Sequence, residues 1–486
     1  MVNNTRPTQP TDPLRGVQQG RPHGGEERVG AYEKCPHWQI RGRCCYPRCC
    51  LIQIKVVFLQ RTKLFVCNEQ FFKYLIDMIL KQTIEQVVGE CQERVMSNDI
   101  GIPRECTIPL NSIGSHTVVI SGIRRCGKST LLAQLHRQLP EPVLFINFEH
   151  PLLLDFSTVD YGRLDNVIDQ HGAKWLLLDE IQILPQWEVY VRQKLDQHYK
   201  IVITGSNASM LSRELGTHLT GRHISMELFP FSYGEFLRLR SLPNSHESFR
   251  SYLFSGGFPE YLKTGDSRQL VTLFQDILYR DILVRYGIKE VVSLQRLATF
   301  LMQNVGNKFS ATKIKQAISV KATNTILNWC NYLENSYLFS FVEKYSYSVR
   351  SQIVSPKKVY AADTGLAYSL STHAMTDEGH LLENLVYLAL RKRHSQIHYY
   401  EGEGECDFVV LENGVPVQLF QVCSELNPDN LRREMNGLEE AMRALSVTRG
   451  IIITDNQEDN FHLETGVIDV LPFWKWESAQ SEAISQ

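Results

Sequence analysis

A glycine-rich segment at residues 122–130 has the residue types and the spacing of a phosphate-binding loop. It reads GIRRCGKST and fits the pattern G-x-x-x-x-G-K-[ST]. An apolar stretch precedes it and an amphipathic helical pattern follows it, which is the context that the motif requires. The glycines allow backbone N–H groups to point at phosphate oxygens, and the helix start adds partial positive charge. The segment therefore predicts a nucleotide site rather than a chance turn.

The side chains of this loop have separate predicted roles. Lys128 is expected to reach the β- and γ-phosphates, and the Ser129 hydroxyl to bind Mg²⁺. Two roles are open for Cys126: a thiol whose pKa is lowered by the helix start and by Lys128, or a packing residue. The residues assigned to nucleotide binding are Gly122, Arg125, Cys126, Gly127, Lys128, Ser129 and Thr130.

Two adjacent carboxylates follow a second apolar stretch, in the sequence WLLLDE. Asp179 is expected to hold Mg²⁺ through water, and Glu180 to activate the attacking water as general base. The alternative is an acidic pair at a strand end that faces solvent. Together with the phosphate loop, the pair predicts hydrolysis of the bound nucleotide.

Two further polar residues are candidates for sensing the γ-phosphate. Asn207, in IVITGSNASML, is expected to position water at a strand tip, with Ser206 as a rival and a helix-capping role as the alternative. Arg222, at a predicted helix end, has a guanidinium that can neutralise γ-phosphate charge on a neighbouring subunit. Its alternative role is to bond the carbonyls at that helix end.

Short apolar runs alternate with helix-length segments around these motifs, which predicts an α/β fold with a parallel sheet covered by helices. At 486 residues the chain is expected to form roughly two to four domains. Its formal net charge of −2 gives no global basic field, so nucleic-acid contact would need a local patch. No apolar run reaches the ~18 residues of a membrane span, and we predict a cytoplasmic protein with reduced cysteines.

The first 67 residues are predicted to be a disordered or mis-assigned tail, because they are rich in Pro, Gly and Arg. Their adjacent CC pairs lack the C-x₂-C spacing that is typical of zinc sites. The cysteines up to the end of this region are Cys35, Cys44, Cys45, Cys49, Cys50 and Cys67.

Helical patterns dominate the middle of the chain. A helical lid with a Gly-Gly-Phe-Pro break is predicted first, followed by a winged helix with a β-like pair. The candidate recognition helix, TNTILNWCNYLEN, is poor in cations, whereas DNA-binding winged helices carry several for phosphates. DNA binding and a protein-packing role both remain open. The lysines just before this helix are Lys308, Lys313, Lys315 and Lys321.

The last domain raises the question of a metal-dependent nuclease. Glu383 and Asp407 have the placement of the Mg²⁺-binding carboxylates of a restriction-endonuclease-like fold. Gln421 stands at a further acidic position, and Cys423 stands where a lysine is expected. Unless the side chain of Arg391 or Lys392 extends from the helix into this site, the site lacks its cation. We therefore expect a degenerate nuclease-like site with a binding or scaffolding role.

The motifs together resemble bacterial and archaeal AAA-type ATPases in which a C-terminal domain of unknown function follows the ATPase. The resemblance runs from about residue 68 to about residue 476, and it implies ATP rather than GTP. It also implies the AAA-type strand order, and it supports the assignment of Arg222 as a finger that acts in a homo-oligomer. It is carried by VVISGIRRCGKSTLL, WLLLDEIQILPQWE, the stretch from VITGSN to SYGEF, GGFPEYL, VYAADTGL and GECDFVV…FQVC.

The sequence thus predicts an ATP- and Mg²⁺-dependent switch or motor with DNA as a candidate partner. An ATP-regulated nuclease and a nucleotide-gated scaffold are the alternatives. The predicted segments are a tail (1–67), a helical lead-in (68–116), the ATPase core (117–240), the lid (241–290), the winged helix (291–347), the restriction-endonuclease-like domain (348–476) and a tail (477–486).

Overall fold

The computed structural model describes residues 79–97, 99–110, 113–140, 142–208, 221–371 and 377–485. The predicted N-terminal tail, the start of the lead-in and the predicted helix before Arg222 lie outside these residues. Among the described residues, no helix is both long and apolar enough to cross a membrane.

A five-stranded parallel sheet forms the centre of the first half, in the order β2-β3-β4-β1-β5. β3, which ends in Asp179, is flanked by β2 and β4, as expected for the second acidic motif. The apolar runs of β1 and β3 are buried throughout, because both faces of an inner parallel strand are covered. The strands are β1 Thr117–Ser121, β2 Val143–Asn147, β3 Trp175–Asp179, β4 Lys200–Gly205 and β5 His223–Glu227.

Helices precede the sheet and connect its strands. The first of them packs against β2 and against the helix that leads into β3, using a buried stripe at helical spacing. The helices of this half are α1 Lys81–Ser97, α2 Lys128–Gln138, α3 Tyr161–His171, α4 Trp187–Asp196 and α5 Tyr233–Arg240.

A helical segment follows, as the sequence predicts. Its third helix continues directly into a π-helical stretch, Ile277–Val284. At the Gly-Gly-Phe-Pro break, the backbone of Gly256 lies close to the side chain of Asp363. A Cβ on Gly256 would lie 2.1 Å from Oδ1 of Asp363. The helices are α6 His246–Ser255, α7 Pro259–Thr264, α8 Arg268–Asp276 and α9 Val291–Gln303.

A three-stranded antiparallel sheet, ordered β6-β8-β7, lies in the region of the predicted winged helix. Its middle strand, β8, comes from the segment that the sequence analysis placed in the last domain, so the predicted boundary at residue 348 falls inside this sheet. The elements are β6 Lys308–Phe309, α10 Ala311–Ile314, α11 Thr323–Asn335, β7 Phe339–Val342, α12 Val349–Val354 and β8 Lys357–Ala361.

The last part contains a mixed six-stranded sheet, ordered β13-β14-β12-β11-β10-β9. The terminal segment predicted as a tail from residue 477 is instead helical, because α16 continues to Ser485. The helices are α13 Thr364–Leu370, α14 Glu378–Arg391, α15 Leu431–Leu445 and α16 Phe473–Ser485. The strands are β9 Gln396–Glu401, β10 Glu405–Glu412, β11 Val415–Val422, β12 Arg449–Thr454, β13 Asp459–Leu463 and β14 Gly466–Pro472.

Candidate active site

The backbone of the phosphate loop requires glycine at both ends of its motif. Gly122, directly after β1, has a φ of 145°, and a Cβ there would lie 2.1 Å from the carbonyl oxygen of Leu228. Gly127 begins α2 with a φ of 106°. A side chain at either position would be strained, and at Gly122 it would also push the loop away from Leu228, the residue directly after β5. The sequence motif is therefore a backbone requirement of this turn.

Lys128 is folded into the loop that it belongs to. Its side chain is nearly buried, and Nζ donates to the carbonyl oxygens of Gly122 at 3.1 Å and Ile123 at 3.2 Å. The same Nζ lies 3.7 Å from Glu180 Oε1. Ser129 and Thr130 are exposed at the start of α2. The loop thus contains an ammonium group and two exposed hydroxyl side chains at a helix start.

Asp179 is completely buried at the end of β3 and is held by neutral donors. Asn147 Nδ2 donates to its Oδ2 at 2.8 Å, and Thr204 Oγ1 donates to its Oδ1 at 2.5 Å. Burial and the charge of Glu180 raise the pKa of Asp179 to about 6, while hydrogen bonds from Ser129 and Thr204 act in the opposite direction. A buried carboxylate beside a second one is an oxygen ligand that a hard cation stabilises. The donor set therefore fits Mg²⁺.

Glu180 does not face solvent, so the alternative of an exposed acidic pair does not hold. Its residue is 8% exposed, and it has an unusual left-handed backbone with φ 53°. Its N–H donates to Thr204 Oγ1 at 3.0 Å. Its carboxylate accepts a hydrogen bond from the amide of Gln182, a residue that the sequence analysis did not single out. The turn after β3 therefore directs this carboxylate toward the phosphate loop.

Ser206 and Asn207 are both buried directly after β4. β4 lies between β3 and β1, so these residues follow a strand flanked by the acidic motif and the phosphate loop. Position therefore does not separate the two candidates for the γ-phosphate sensor. The residues after 208, where the capping alternative would be visible, lie outside the described part of the chain.

Cys126 is fully buried, and burial raises the pKa of its thiol despite the nearby charge of Lys128. The structure therefore favours the packing role over an activated thiol. Its carbonyl oxygen accepts a hydrogen bond from Arg104 Nη1 at 2.9 Å, and the same guanidinium pairs with Glu235 of α5 at 2.8 Å. Arg104, from the segment before β1, thus holds the phosphate loop against α5.

Two arginines connect the phosphate loop to the helical segment. Arg124 pairs with Asp281 in the π-helical stretch and with Glu149 after β2. Arg125, more exposed, pairs with Glu260 of α7 at 2.9 Å. Arg125 is predicted from the sequence to bind the nucleotide, whereas no role is predicted for Arg124 or for these acidic residues. The adjacent arginines in the motif were the local signal, since Asp281 and Glu260 lie more than 100 residues away and Glu149 lies 25 residues away.

Arg222 lies far from the phosphate loop of its own subunit. Its carbonyl accepts a hydrogen bond from Thr117 N, at the start of β1, whereas the loop follows the end of that strand. A five-residue strand spans about 16 Å, so the two are at opposite edges of the sheet. Arg222 Nη1 contacts Asp196 at 2.6 Å. Arg222 therefore does not belong to the phosphate-loop site of its own chain.

The predicted nuclease-like carboxylates do lie together in the C-terminal half. Glu383 of α14 and Asp407 of β10 both contact the ammonium of Lys358, at 3.0 and 2.7 Å. The prediction that the cation is missing was wrong, because β8 supplies it instead of the position of Cys423. Arg391 pairs with Glu227 of β5 and does not fill this role.

Hydrogen bonds fix this cluster further. Tyr360 OH donates to Glu383 Oε1 at 2.7 Å. Burial and the charge of Asp407 raise the pKa of Glu383 to about 7. Gln421 accepts from Asp407 N at 3.2 Å and donates to Glu434 at 2.7 Å. The amide at the predicted acidic position therefore joins the backbone N–H of Asp407 to the carboxylate of Glu434.

The cluster lies in a cleft of about 830 Å³ between β6, α14, the β9–β10 turn and α15. The charged residues of its lining are mainly acidic, and Lys308 contacts Glu401 at 2.7 Å and Glu405 at 3.0 Å. This lysine, one of those considered for DNA phosphates, is thereby neutralised. Among the described residues, no group of three or more His, Cys, Asp and Glu side chains is arranged to hold a metal ion.

Comparison with known families agrees with the division into two halves. Residues 114–237 match the model of an AAA domain, and residues 246–377 match a domain of unknown function (DUF8612). With its five-stranded parallel sheet, the N-terminal half is of the P-loop nucleotide-binding class. The second match runs from α6 to the start of α14 and so includes the predicted lid and winged helix in one unit.

Relatives of similar length occur in archaea and bacteria. Uncharacterized protein MJ1544 of Methanocaldococcus jannaschii is 30% identical over 408 residues, covering 76% of this chain and 90% of its own. A Haemophilus influenzae protein is 29% identical over 347 residues, covering 65% and 84%. This chain belongs to the family of the M. jannaschii protein.

Among solved structures, the chain is similar to one in the structure of Drosophila ORC bound to AT-rich DNA and Cdc6. The match has 13% identity and a TM-score of 0.19, and it covers 63% of this chain and 97% of that one. So low a TM-score gives no support for a shared function.

Proposed function

We propose that this protein is an ATP-hydrolysing switch or motor whose C-terminal half engages a partner, with DNA as the candidate partner. One observation carries the hydrolysis proposal: Lys128 of the phosphate loop lies 3.7 Å from Glu180, directly after the buried Asp179. A phosphate-binding lysine, a metal-binding carboxylate and a base are thus adjacent. The AAA domain match supports a nucleotide as the ligand.

Each residue of the site has a separate proposed role in ATP hydrolysis. Lys128 and the backbone N–H groups of the loop bind the β- and γ-phosphates. Ser129 and Asp179 would hold Mg²⁺, which would supply positive charge to the phosphate oxygens. Glu180 takes a proton from the attacking water while the water oxygen bonds to the γ-phosphorus. The bond between that phosphorus and the β–γ bridging oxygen breaks. Asn207 orients the water, and Arg222 of another subunit stabilises the charge.

Steady-state ATP turnover of the full chain tests this proposal. Lys128→Ala should abolish nucleotide binding, whereas Glu180→Gln should keep ATP bound and lower turnover by roughly 100-fold or more. Turnover that survives in Glu180→Gln would refute the assigned base. Addition of duplex DNA tests the partner, since a DNA-linked ATPase is stimulated and an ATPase with another partner is not.

The scaffold alternative makes a different prediction. A protein that holds ATP as a structural or signalling ligand binds it without turnover, and Glu180→Gln then changes nothing measurable. Tight ATP binding with no phosphate release from the parent protein would support this alternative over the ATPase.

A second candidate function, DNA cleavage regulated by ATP, is favoured by one observation. Lys358 supplies a cation between Glu383 and Asp407, which is the type of group that stabilises developing charge in phosphodiester hydrolysis. Incubation of the full chain with plasmid DNA and Mg²⁺ or Mn²⁺ tests it, with Asp407→Asn as control. Plasmid that stays intact with and without ATP would rule this function out.

A further inference from the structure

Gln182 lies in a short 3₁₀ turn, Ile181–Ile183, which follows β3. Its side chain folds back so that Nε2 donates to Glu180 Oε2 and lies 3.4 Å from Ser206 Oγ. The amide therefore bridges the residue after β3 that is assigned as the base and a residue after β4 that is a candidate for sensing the γ-phosphate. Within the described part of the chain, the cation at ion-pair distance from this carboxylate is Lys128.

The amide occupies a slot that Gly205 provides. A Cβ on Gly205 would lie 2.7 Å from Gln182 Oε1, closer than side-chain atoms normally approach. Gly205 does not have a positive φ, so its backbone conformation alone would accept alanine. The close approach of the Gln182 amide is thus what glycine at the end of β4 permits.

The oxygen of the same amide is buried and has no hydrogen-bond partner among the described residues. A buried acceptor without a partner costs folding free energy, so this arrangement is poor as a purely structural contact. Beside a carboxylate assigned to catalysis, it points to a role in the reaction.

The position of Glu180 shows what the amide contributes. Glu180 Oε1 is 3.7 Å from the Lys128 ammonium, in a place where both side chains are nearly buried and attract each other strongly. If the carboxylate closed on this lysine, the base would be neutralised and the lysine withdrawn from the phosphates. A donor on the opposite carboxylate oxygen, Oε2, competes with that closure.

We propose that Gln182 is a positioning residue that holds the Glu180 carboxylate away from Lys128 and toward the attacking water. The proposal rests on the ATP hydrolysis proposed above. It assigns to Gln182 an effect on the chemical step and not on nucleotide binding, because Gln182 acts through Glu180.

Gln182→Met tests it, since methionine has similar length and shape but cannot donate a hydrogen bond. The full chain should lose roughly 10- to 100-fold in kcat for ATP, as expected for a misplaced catalytic group, while KM and the nucleotide Kd change by less than about threefold. Gln193→Met, on the exposed face of α4, is the matched control and should leave kcat unchanged.

A second variant, at Gly205, keeps Gln182 but changes the position of its side-chain amide. Gly205→Ala should displace the amide and lower kcat in the same way, with KM unchanged. In a Glu180→Gln background, Gln182→Met should have no further effect, because the carboxylate through which it acts is gone.

The outcomes separate the two proposals. Absent turnover in the parent protein refutes ATP hydrolysis and this inference with it. Turnover in the parent with unchanged kcat in Gln182→Met and Gly205→Ala overturns only the role of Gln182. A joint change in KM, kcat and melting temperature in both variants would show a structural role and also overturn it.

Discussion

Arg124 of the phosphate loop and Asp281 of the π-helical segment form a two-point ion pair, with 3.0 Å between Nε and Oδ2 and 3.2 Å between Nη2 and Oδ1. The side chains are 16% and 5% exposed. Glu149, after β2, contacts the same guanidinium at 3.1 Å. The loop assigned to phosphate binding is thereby joined to the helical segment that follows the AAA domain, and a π-helical stretch is often found at functional positions.

Loss of Arg124 should destabilise the protein markedly. Arg124→Ala leaves the buried carboxylate of Asp281 without its cation, which is expected to lower the free energy of unfolding by about 3 kcal/mol. Urea denaturation measures this loss. Arg268→Ala is the control, because Arg268 pairs with Asp266 at the surface and should cost less than about 1 kcal/mol. Equal losses in the two variants would contradict the prediction.

Loss of Lys358 should have a similar effect in the C-terminal half. Lys358→Met leaves Glu383 and Asp407 as unpaired buried carboxylates, and we expect a loss of about 3 kcal/mol in unfolding free energy. Thermal denaturation with and without Mn²⁺ measures it. A large recovery with Mn²⁺ would indicate that the two carboxylates can bind a metal ion in place of the ammonium. Lys308→Met, at a more exposed lysine of the same cleft, should lose much less.

Asp363 should make stability depend on pH. It joins α6 to α13, since it accepts hydrogen bonds from Gly257 N at 2.6 Å and Leu366 N at 2.8 Å. Burial raises the pKa of Asp363 from 3.8 to about 6. Between these values the folded protein binds the proton more tightly than the unfolded chain, so this contribution to stability is lost as pH rises from about 4 to about 6.

Asp363→Asn removes that titration. The unfolding free energy of the parent minus that of the variant should therefore fall across this pH range and be constant above it, in addition to a constant offset from the altered hydrogen bonds. Denaturation at several pH values measures the difference. Asp266→Asn should lack this trend, since Asp266 is at the surface and Arg268 lowers its pKa. A flat difference for Asp363→Asn would contradict the assignment.

Arg222 should act only between subunits. Lys128→Ala and Arg222→Ala should each be inactive as ATPases, the first because it cannot bind phosphate and the second because the charge is not neutralised. When the two are mixed, a site with intact Lys128 can receive Arg222 from the other variant. For a dimer we expect roughly a quarter of the parent turnover to return. No recovery, with assembly confirmed by light scattering, would argue against the role of Arg222.

The phosphate loop shows how much the sequence alone determines. Its glycines, lysine and hydroxyls all lie within residues 122–130, so the pattern predicted the turn, the strand before it and the helix after it. The buried apolar runs likewise predicted the parallel sheet, because an inner parallel strand needs no polar face. The AAA domain match confirms this part of the prediction.

Tertiary structure decided which distant charges meet. Lys358 is 49 residues from Asp407, and Arg124 is 157 residues from Asp281. No local pattern links such residues, since a strand or helix specifies its own periodicity and not the partner of an individual side chain. The restriction-endonuclease-like pattern predicts the cation of the C-terminal cluster at the position of Cys423, although Lys358 of β8 provides it. Contacts across separate elements depend on how the sheets and helices pack, and only the folded chain sets them.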